Sequence, residues 1–483
     1  MSKIIKNYIY NTIYQLLVLV VPIITAPYLA RVLGAEKLGI YGYIISASTI
    51  IVSVGSLGIY SYANREIAYR RDNKEKLSQA FWEIIIIRII LFFVTSLLYF
   101  VIAFITSFTN YFMLYYFWLI ANFADVSWVF VGLEKMKIPV IKNILAKLIT
   151  VIGIFLLVKS EEDLWLYISL ISLSTFISNL IIYPQLKDYI FKPNFGQFSK
   201  KIFKKHLIGS LYLFLPQMAT IIYLNLDKIM IKNITGVNQQ VGFYQQAEKI
   251  INIPLALLTG LSTVMMPRIA NEYKKGNDQN INNYLSKALS FTLMLAFPMS
   301  IGIGVISFGF IPWFLGKEFT PSIIALIILS PIIITNALSG ISGKQFLTAT
   351  NQMHVLFKSH FLAVIINISL NFFLIPRFGF KGAAISSLIS SVLSVLVQFN
   401  YMLKQINFKK LWENSFRYLI FSIIMGVIIC LFIPNLSSEP SLTLFQIMLG
   451  GGTYFLFLII SKDELLFKLF KQLYNNYLEK NRK

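Results

Sequence analysis

The sequence predicts an all-α integral membrane protein with about fourteen transmembrane helices, and three observations lead to this fold class. Of the 483 residues, 57% are hydrophobic and only 13% are charged, whereas about a quarter of the residues in a soluble domain are charged. The apolar residues fall in runs of about 20, the length that crosses a bilayer. These runs do not alternate with polar residues, and unpaired backbone groups are costly in lipid. They must therefore be helices rather than barrel strands.

Fourteen apolar runs of spanning length follow one another along the chain. They cover roughly residues 8–30, 40–62, 83–106, 111–132, 138–158, 163–185, 207–228, 240–264, 285–309, 321–340, 355–375, 382–403, 416–434 and 442–461. Pro331 interrupts the tenth run and Pro312 follows the ninth, so we expect the least regular helices there. The first run contains Pro22 and Pro27 and lacks a small-residue cleavage site, which predicts a retained helix rather than a signal peptide.

Basic residues outnumber acidic residues by 43 to 21, which gives a net charge of +22. Most of them lie at the termini and in every second connection between the runs, as in residues 65–76 and 187–205. This pattern predicts binding to a membrane surface rather than to nucleic acid, with both termini in the cytoplasm. We predict a six-helix bundle over residues 1–186, a basic cytoplasmic linker over 187–206 and a second six-helix bundle over 207–404. Two extra helices and a basic tail follow over 405–483.

The composition excludes several kinds of chemistry. A lone cysteine, Cys430, permits no internal disulfide, and three histidines provide no Cys/His metal framework. The sequence contains no phosphate-binding glycine loop, no HExxH motif and no Ser/His/Asp set in a solvent loop. We therefore expect neither an enzyme nor a bound cofactor or metal. Any transport should use a Na+ or H+ gradient, the membrane potential or the substrate gradient.

An internal repeat relates the two predicted bundles. Leu33-Gly34 precedes Gly39-Ile40-Tyr41 after the first run, and Thr235-Gly236 precedes Gly242-Phe243-Tyr244 after the seventh. Arg65 lies 26 residues beyond Gly39, and Arg268 lies 26 residues beyond Gly242. A helix of 26 residues spans roughly 39 Å. The two bundles are thus predicted to be parallel repeats about a central cavity, a design found in secondary transporters.

Polar side chains form matching stripes in the second and eighth runs, at helical steps of three and four. The stripes include Ser46, Thr49 and Ser53 in one run and Gln245, Lys249 and Asn252 in the other. Because an ionisable residue inside a span usually faces a cavity, Lys249 favours a polar substrate cavity. Two alternatives stay open: small hydroxyl residues also pack helices closely, and a lysine at this depth could snorkel.

Further polar residues complete the candidate site. Gln15, Arg31 and Gln217 are assigned to the substrate cavity, although Arg31 and Lys228 could equally be snorkelling anchors near the outer interface. The candidates for an ion-coupling site or a gate are Asp125, Asp227, Lys147 and Arg88. Glu83 and Arg88 are five residues apart and imperfectly placed to pair along their helix, which favours partners on other helices. For Asp125, structural hydrogen bonding is an equal alternative.

Several strings, in order along nearly the whole chain, resemble the polysaccharide-exporting flippases, which translocate O-antigen and capsule repeat units. The strings are Leu29-Ala30-Arg31-Val32-Leu33-Gly34, Tyr41-Gly42, Asp125-Val126-Ser127-Trp128, Gly132-Leu133-Glu134, Leu226-Asp227-Lys228-Ile229, Val241-Gly242-Phe243-Tyr244, Ala247-Glu248-Lys249-Ile250, Asn371 with Leu374-Ile375-Pro376, and Gly379-Phe380-Lys381-Gly382-Ala383-Ala384. That family belongs to a superfamily with the multidrug and toxin extruders and the lipid II flippase, which share two six-helix bundles.

The resemblance implies a flippase that moves an undecaprenyl-pyrophosphate-linked oligosaccharide from the inner to the outer leaflet of the bacterial cytoplasmic membrane. A polysaccharide polymerase and glycosyltransferases are its expected partners, beside membrane lipids. Two other functions are alternatives. A drug extruder of the same fold should present acidic groups to an organic cation, and only Asp125 and Asp227 stand out here. A membrane glycan polymerase should have a large outward loop, whereas every predicted outward loop is short.

Overall fold

The computed structural model describes residues 3–191, 200–405, 415–432 and 439–467. Within these ranges the chain is helical and contains no strand. The α-helices of these ranges are α1 (Lys3–Ser56), α2 (Ile59–Arg70), α3 (Lys74–Ile105), α4 (Thr109–Ala124), α5 (Ser127–Gly132), α6 (Lys137–Leu157), α7 (Leu164–Ile181), α8 (Lys200–Thr235), α9 (Asn238–Lys274), α10 (Asp278–Phe314), α11 (Ser322–Leu329), α12 (Ile332–Ser339), α13 (Met353–Phe378), α14 (Phe380–Leu403), α15 (Ser415–Phe432) and α16 (Pro440–Ile460). Short 3-10 turns flank α7 and follow α10, and a π-helix, Gly340–Leu347, follows α12.

Each predicted apolar run overlaps helix in the structure. The first two runs share α1, which breaks at Gly34, where φ is 69° and ψ is 176°. The tenth run is divided at Pro331 into α11 and α12, as the proline predicts. Among the described residues, ten helices are long and apolar enough to cross a membrane, or eleven if the bent helix α8 is included. The all-α membrane fold is confirmed, and the number fourteen stays a prediction.

The outer surface of α3 shows why the fold needs a membrane. Phe93, Val94, Leu97, Phe104 and Ile105 are each more than 60% exposed. A contiguous apolar patch of this kind is rare on a soluble monomer, because it would order water over its whole area. In hydrocarbon the same side chains meet an apolar surrounding, so the exposed face is a lipid-facing surface.

The chain divides into two compact units, Met1–Gln245 and Gln246–Lys483. In the first, α1 packs along α8, α4 along α7 and α2 against α5. The core of this unit contains the fully buried Trp128, whose ring stacks on Phe81 with 5.6 Å between centroids. In the second unit α13 packs along α14, and α10 packs against α11, α12, α15 and α16.

The boundary between the two units lies inside α9, whereas the sequence predicts a linker at residues 187–206. Residues 200–206 are the first turns of α8, and residues 192–199 lie outside the described residues. Residues 406–414 and the predicted basic tail after residue 467 lie outside them as well. The predicted domain limits therefore stay a prediction.

The last helix, α16, is attached to α10 by two polar contacts. The indole nitrogen of Trp313 in α10 donates to Thr443 Oγ1 of α16 at 2.6 Å. The Tyr454 hydroxyl of α16 donates to the carbonyl oxygen of Met294 at 2.7 Å. Each bond satisfies a polar group that could not form a hydrogen bond to lipid. Directional hydrogen bonds therefore fix the position of α16 on α10, in addition to apolar packing.

Helices α1 and α9 cross closely at Gly39 and Gly242 within the first unit. A Cβ atom on Gly39 would lie 1.8 Å from the carbonyl oxygen of Asn238, and one on Gly242 would lie 2.2 Å from that of Ala35. The preceding glycines, Gly34 and Gly236, also have similar positive φ angles, of 69° and 72°. The repeat therefore places two equivalent helix segments in backbone contact, a closeness that only glycine permits.

Candidate functional site

The helix break between α4 and α5 is the centre of a buried polar site in the first unit. A helix end leaves carbonyl oxygens without intrahelical partners, and in a membrane protein these need other donors. The guanidinium of Arg88, on α3, provides them: Nη2 donates to the carbonyl oxygens of Asn122 and Phe123 at 2.7 and 2.8 Å. Arg88 is only 3% exposed, so its contacts are with the end of α4 rather than with Glu83.

Lys142 of α6 links three neighbouring segments in this site. Its ammonium donates to Asp125 Oδ1 at 2.9 Å, to Ser127 Oγ at 2.6 Å and to Asn179 Oδ1 of α7 at 2.6 Å. An ammonium has three N–H donors, so these contacts saturate it. Asn179 in turn donates to the carbonyl oxygen of Ala121 at 2.7 Å. We name Arg88, Asp125, Ser127, Lys142 and Asn179 the α4–α5 cluster.

The α4–α5 cluster shows how Asp125 is held. Its carboxylate accepts from the backbone N–H of Ser127 at 2.9 Å and from the Ser127 hydroxyl at 2.5 Å, besides the Lys142 ammonium. These bonds satisfy the first backbone N–H of α5, and the lysine neutralises the carboxylate. Both alternatives raised from the sequence for Asp125 are compatible with this geometry, because a saturated carboxylate can be structural in one state of a transporter and exchange its partner in another.

Lys142 is not among the residues that the sequence predicts for this site. The residue lies inside the predicted run 138–158. In the structure Lys142 is 5% exposed. The available signal was its position within the run, since a lysine there needs a partner. Lys147, which was selected instead, is exposed on the same helix.

Asp227 of α8 is buried in another part of the first unit. It is 2% exposed and accepts a hydrogen bond of 2.6 Å from the hydroxyl of Tyr244 in α9. The neighbouring Lys228 is 6% exposed and donates to the carbonyl oxygen of Leu224 at 2.9 Å. Asp227 thus joins α8 to the start of α9. The burial of Lys228 argues against its role as a snorkelling anchor, because such a lysine keeps its ammonium group in water.

The residues predicted for the substrate cavity differ in exposure. Ser46 is fully buried and Gln245 is 5% exposed. Thr49, Ser53 and Lys249 are half-buried, and Gln15, Arg31, Gln217 and Asn252 are exposed. The structure brings Gln245 against α1, where a Cβ on Gly42 would lie 2.5 Å from its Oε1 atom. Lys249 and Asn252 belong to the second unit, and Gln217 Nε2 donates to Ser61 Oγ at 3.4 Å.

Two hydroxyl groups of the second apolar run bond to their own helix, which agrees with a role in helix packing. Thr49 donates to the carbonyl oxygen of Ile45 at 2.6 Å, and Ser56 to that of Ser53 at 3.1 Å. Hydroxyls that bond to their own helix backbone remain satisfied without ligand. The hydroxyls of Thr49 and Ser56 are therefore satisfied within their own helix in this structure, and contact between the stripe and a substrate stays a prediction.

Two family models match the chain, each over more than half of its length. The model described as "Polysaccharide biosynthesis protein" matches residues 4–272, and the one described as "Lipid II flippase MurJ" matches residues 196–449. A protein of Escherichia coli K12 named as an O-antigen transporter is 24% identical over 424 residues, which are 82% of this chain and 97% of that protein. A Shigella dysenteriae protein of the same name is 26% identical over 80% of this chain and 95% of its own.

Solved structures show the same fold. The lipid II flippase MurJ in its inward closed conformation has a TM-score of 0.72 at 18% identity and covers 96% of this chain and 100% of its own. An inward-facing multidrug transporter of the MATE family has a TM-score of 0.63 at 14% identity, over 84% of this chain and 98% of its own. Together the two family matches cover residues 4–449 and show that this chain is a membrane transporter rather than an enzyme. Its fold is the one shared by MurJ and the MATE transporters. The chain belongs to the polysaccharide biosynthesis protein family of flippases.

Proposed function

We propose that this transporter moves an undecaprenyl-pyrophosphate-linked oligosaccharide from the inner to the outer leaflet of a bacterial cytoplasmic membrane, for cell-surface polysaccharide synthesis. The observation that supports this substrate best is the similarity to the E. coli O-antigen transporter over 82% of the chain. The match to the MurJ family supports the same class of lipid-linked substrate. Both termini are proposed to be cytoplasmic, and a polymerase and glycosyltransferases to act on the same lipid-linked glycan.

The chemistry of such a substrate fits a polar cavity with an apolar exit. Sugars and a pyrophosphate cannot cross about 30 Å of hydrocarbon unaided, because each unpaired polar group costs several kcal/mol there. Amide and cationic side chains such as Asn252 and Lys249, both in the second unit, would replace water around the sugars and the phosphates. The isoprenoid tail would remain in lipid. Alternating exposure of the cavity to the two sides would then complete the transfer.

The driving ion is proposed to be H+ or Na+. Asp125 and Asp227 are buried or half-buried carboxylates within the apolar region, and ionisable groups there are usually functional. Both have a donor in this structure: Lys142 for Asp125 and Tyr244 for Asp227. An exchange of that donor for an ion during transport would couple the gradient to the conformational change.

Deletion of the gene followed by lipid analysis of both leaflets tests the proposed function. We expect an undecaprenyl-linked oligosaccharide to accumulate in the inner leaflet only, and surface polysaccharide to disappear. Restoration by the intact gene is the control. Normal surface polysaccharide together with increased sensitivity to organic cations would contradict the proposal and indicate a drug exporter of the same fold.

A further inference from the structure

A buried histidine joins three helices of the first unit. His206, near the start of α8, is fully buried. Its Nδ1 atom lies 2.9 Å from the hydroxyl of Tyr62 in α2, and its Nε2 atom lies 2.9 Å from Glu83 Oε2 in α3. The Glu83 side chain is 4% exposed. Both ring nitrogens therefore have polar partners on different helices, so the imidazole bridges α2 and α3 to α8.

Two glycines allow α8 to approach closely at this place. A Cβ atom on Gly209 of α8 would lie 2.4 Å from Cε2 of Tyr62, and one on Gly58, just before α2, would lie 2.9 Å from Cβ of Phe214. His206, Gly209 and Phe214 lie within one side of the helix by the 100° rotation per residue. The segment from Lys200 to Leu215 is thus docked on α2 through a specific fitted surface, with His206 at its centre.

The charges around His206 are unbalanced unless it binds a proton. Glu66 of α2 and Glu83 of α3 are 9% and 3% exposed, and Arg70 lies 3.0 Å from Glu66 and 3.6 Å from Glu83. Two carboxylates and one guanidinium leave one negative charge with neutral imidazole and none with imidazolium. A buried, uncompensated charge is strongly unfavourable, and a proton on the ring would remove it.

Other charged groups near the cluster do not change this balance. On α2, Arg65 lies over the Tyr62 ring at 5.5 Å but is itself exposed, so solvent screens its charge. On α8, Lys204 and Lys205 are exposed. On α3, Gln79 donates to Glu83 Oε1 at 2.9 Å and is neutral. The described charged side chains of α1, which also packs along α8, lie within three residues of its break at Gly34: Arg31, Glu36 and Lys37.

We propose that His206 and Glu83 form a proton-binding site of this transporter, and that the bound proton holds the first segment of α8 on α2 and α3. Loss of the proton leaves a buried negative charge and releases the segment. The helix is bent by 55° between Leu215 and Gln217, so the segment can swing at this bend without disrupting the remainder of α8. One proton is bound on docking and one is released on undocking. This inference rests on the proposed transport function, to which it adds a proton site separate from Asp125 and Asp227.

Histidine suits this task because its charge changes near neutral pH. Arg70, whose side chain is 22% exposed, contacts both carboxylates, so the buried cluster lies one side chain away from solvent. The site lies at the end of the unit where Arg65, Arg70, Arg71 and Lys74 gather, the end that the charge pattern places at the cytoplasm.

The test is a distance measurement on the full-length protein in lipid nanodiscs. Spin labels at Lys76→Cys on α3 and Lys205→Cys on α8, in a Cys430→Ser background, report docking of the segment; both lysines are exposed. At pH 5.5 we expect one short distance. At pH 8.5 we expect a second, longer distance to appear. An unchanged distance distribution between the two pH values would overturn the proposal.

Two variants should respond in opposite directions. Glu83→Gln removes the excess negative charge, so the segment should stay docked at both pH values. His206→Gln removes the imidazole that would bind the proton, so the negative charge stays uncompensated. The longer distance should then be present at both pH values. His354→Gln, at an exposed position of α13, is the matched control and should respond as the wild type does. A persistent pH response in His206→Gln would contradict the proposal.

Nitrogen-15 labelling of histidine gives a measurement that needs no working variant. The chain has only three histidines, so the His206 ring signals can be resolved by magnetic resonance in the wild type. Their change with pH should coincide with the change in distance. A change in the ring signals without a change in distance would contradict the proposed release of the α8 segment. Lipid transport by a protein whose distances ignore pH would refute the proton site alone. A pH-dependent distance in a protein that moves no lipid-linked glycan would refute the proposed function instead.

Discussion

Lys249 is the residue at which the proposed function is most easily tested. It is half-buried in α9, on the stripe that also contains Asn252. If its charge attracts the pyrophosphate, Lys249→Ala should lower flipping per molecule by about tenfold or more, the value of one charge-assisted hydrogen bond. Lys249→Arg should retain much of the activity, and Lys249→Glu should be worse than alanine because it repels the same anion.

Glu248→Ala is the neighbouring control for Lys249, because its side chain points about 100° away around the helix. We expect normal flipping in this variant. Transport is measured per molecule, from accumulated outer-leaflet glycan normalised to protein abundance. Normal activity of Lys249→Glu would show that Lys249 is an anchor and not a substrate contact.

Lys142 should matter for stability more than its position near a helix start suggests. Lys142→Ala would leave Asp125 without its ammonium partner and leave Asn179 Oδ1 without a donor. Removing one member of a buried pair costs about 3–5 kcal/mol, and the 22% exposure of Asp125 places the expected loss at about 3 kcal/mol. The midpoint of thermal unfolding in detergent should fall by several degrees. Lys147→Ala, an exposed lysine of the same helix, should leave the midpoint unchanged; equal midpoints for both variants would refute the assignment.

At the scale of single residues, the sequence identifies which charges are unusual but not their partners. Glu83 and Arg88 were expected to find partners on other helices, and the structure provides His206 for one and the end of α4 for the other. These partners lie 123 and 35 residues away. No local spacing rule reaches that far, and a basic residue near a helix end, such as Lys142, has the same appearance in sequence whether it is buried or meets solvent.

The helices follow from the sequence more directly. Apolar length and the cost of unpaired backbone determine where helices lie, and proline or glycine determines where they break, as at Pro331 and Gly34. The breaks at Asp125 and at Gly58 were not predicted, because they depend on contacts with Arg88 and Phe214 that the fold creates. Such breaks lie at the two polar sites of the first unit.

The crossing of α1 and α9 gives a test at the scale of elements. Gly39→Ala would place a methyl group against the backbone of α9, which cannot yield as a side chain can. Overpacking of this kind costs about 1–3 kcal/mol. We expect a lower unfolding midpoint and reduced flipping. Gly451→Ala in α16, where a Cβ atom would meet nothing within 4 Å, is the matched control and should be tolerated. An unaltered midpoint in Gly39→Ala would contradict the close crossing.

For the whole molecule, the repeat and the charge pattern predict a topology. Single cysteines at Glu36 and Val237, which are exposed beside the turn glycines, should react with an impermeant thiol reagent from outside the cell. Cysteines at Arg65 and Arg268 should react only after permeabilisation, because basic connections remain in the cytoplasm. Cys430 is replaced by serine in every variant, and the parent without cysteine is the blank. Opposite labelling within either pair would refute the parallel repeat.

The central claim is that the protein moves a lipid-linked oligosaccharide between leaflets. The most direct measurement uses the purified full-length protein in liposomes that contain an undecaprenyl-pyrophosphate-linked oligosaccharide confined at first to one leaflet, with a glycan-cleaving enzyme present only on the opposite side. We expect cleavage to rise with the amount of protein and to remain at the level of empty liposomes without it. Cleavage equal to that of empty liposomes, in vesicles where the same protein transports an organic cation, would contradict the account.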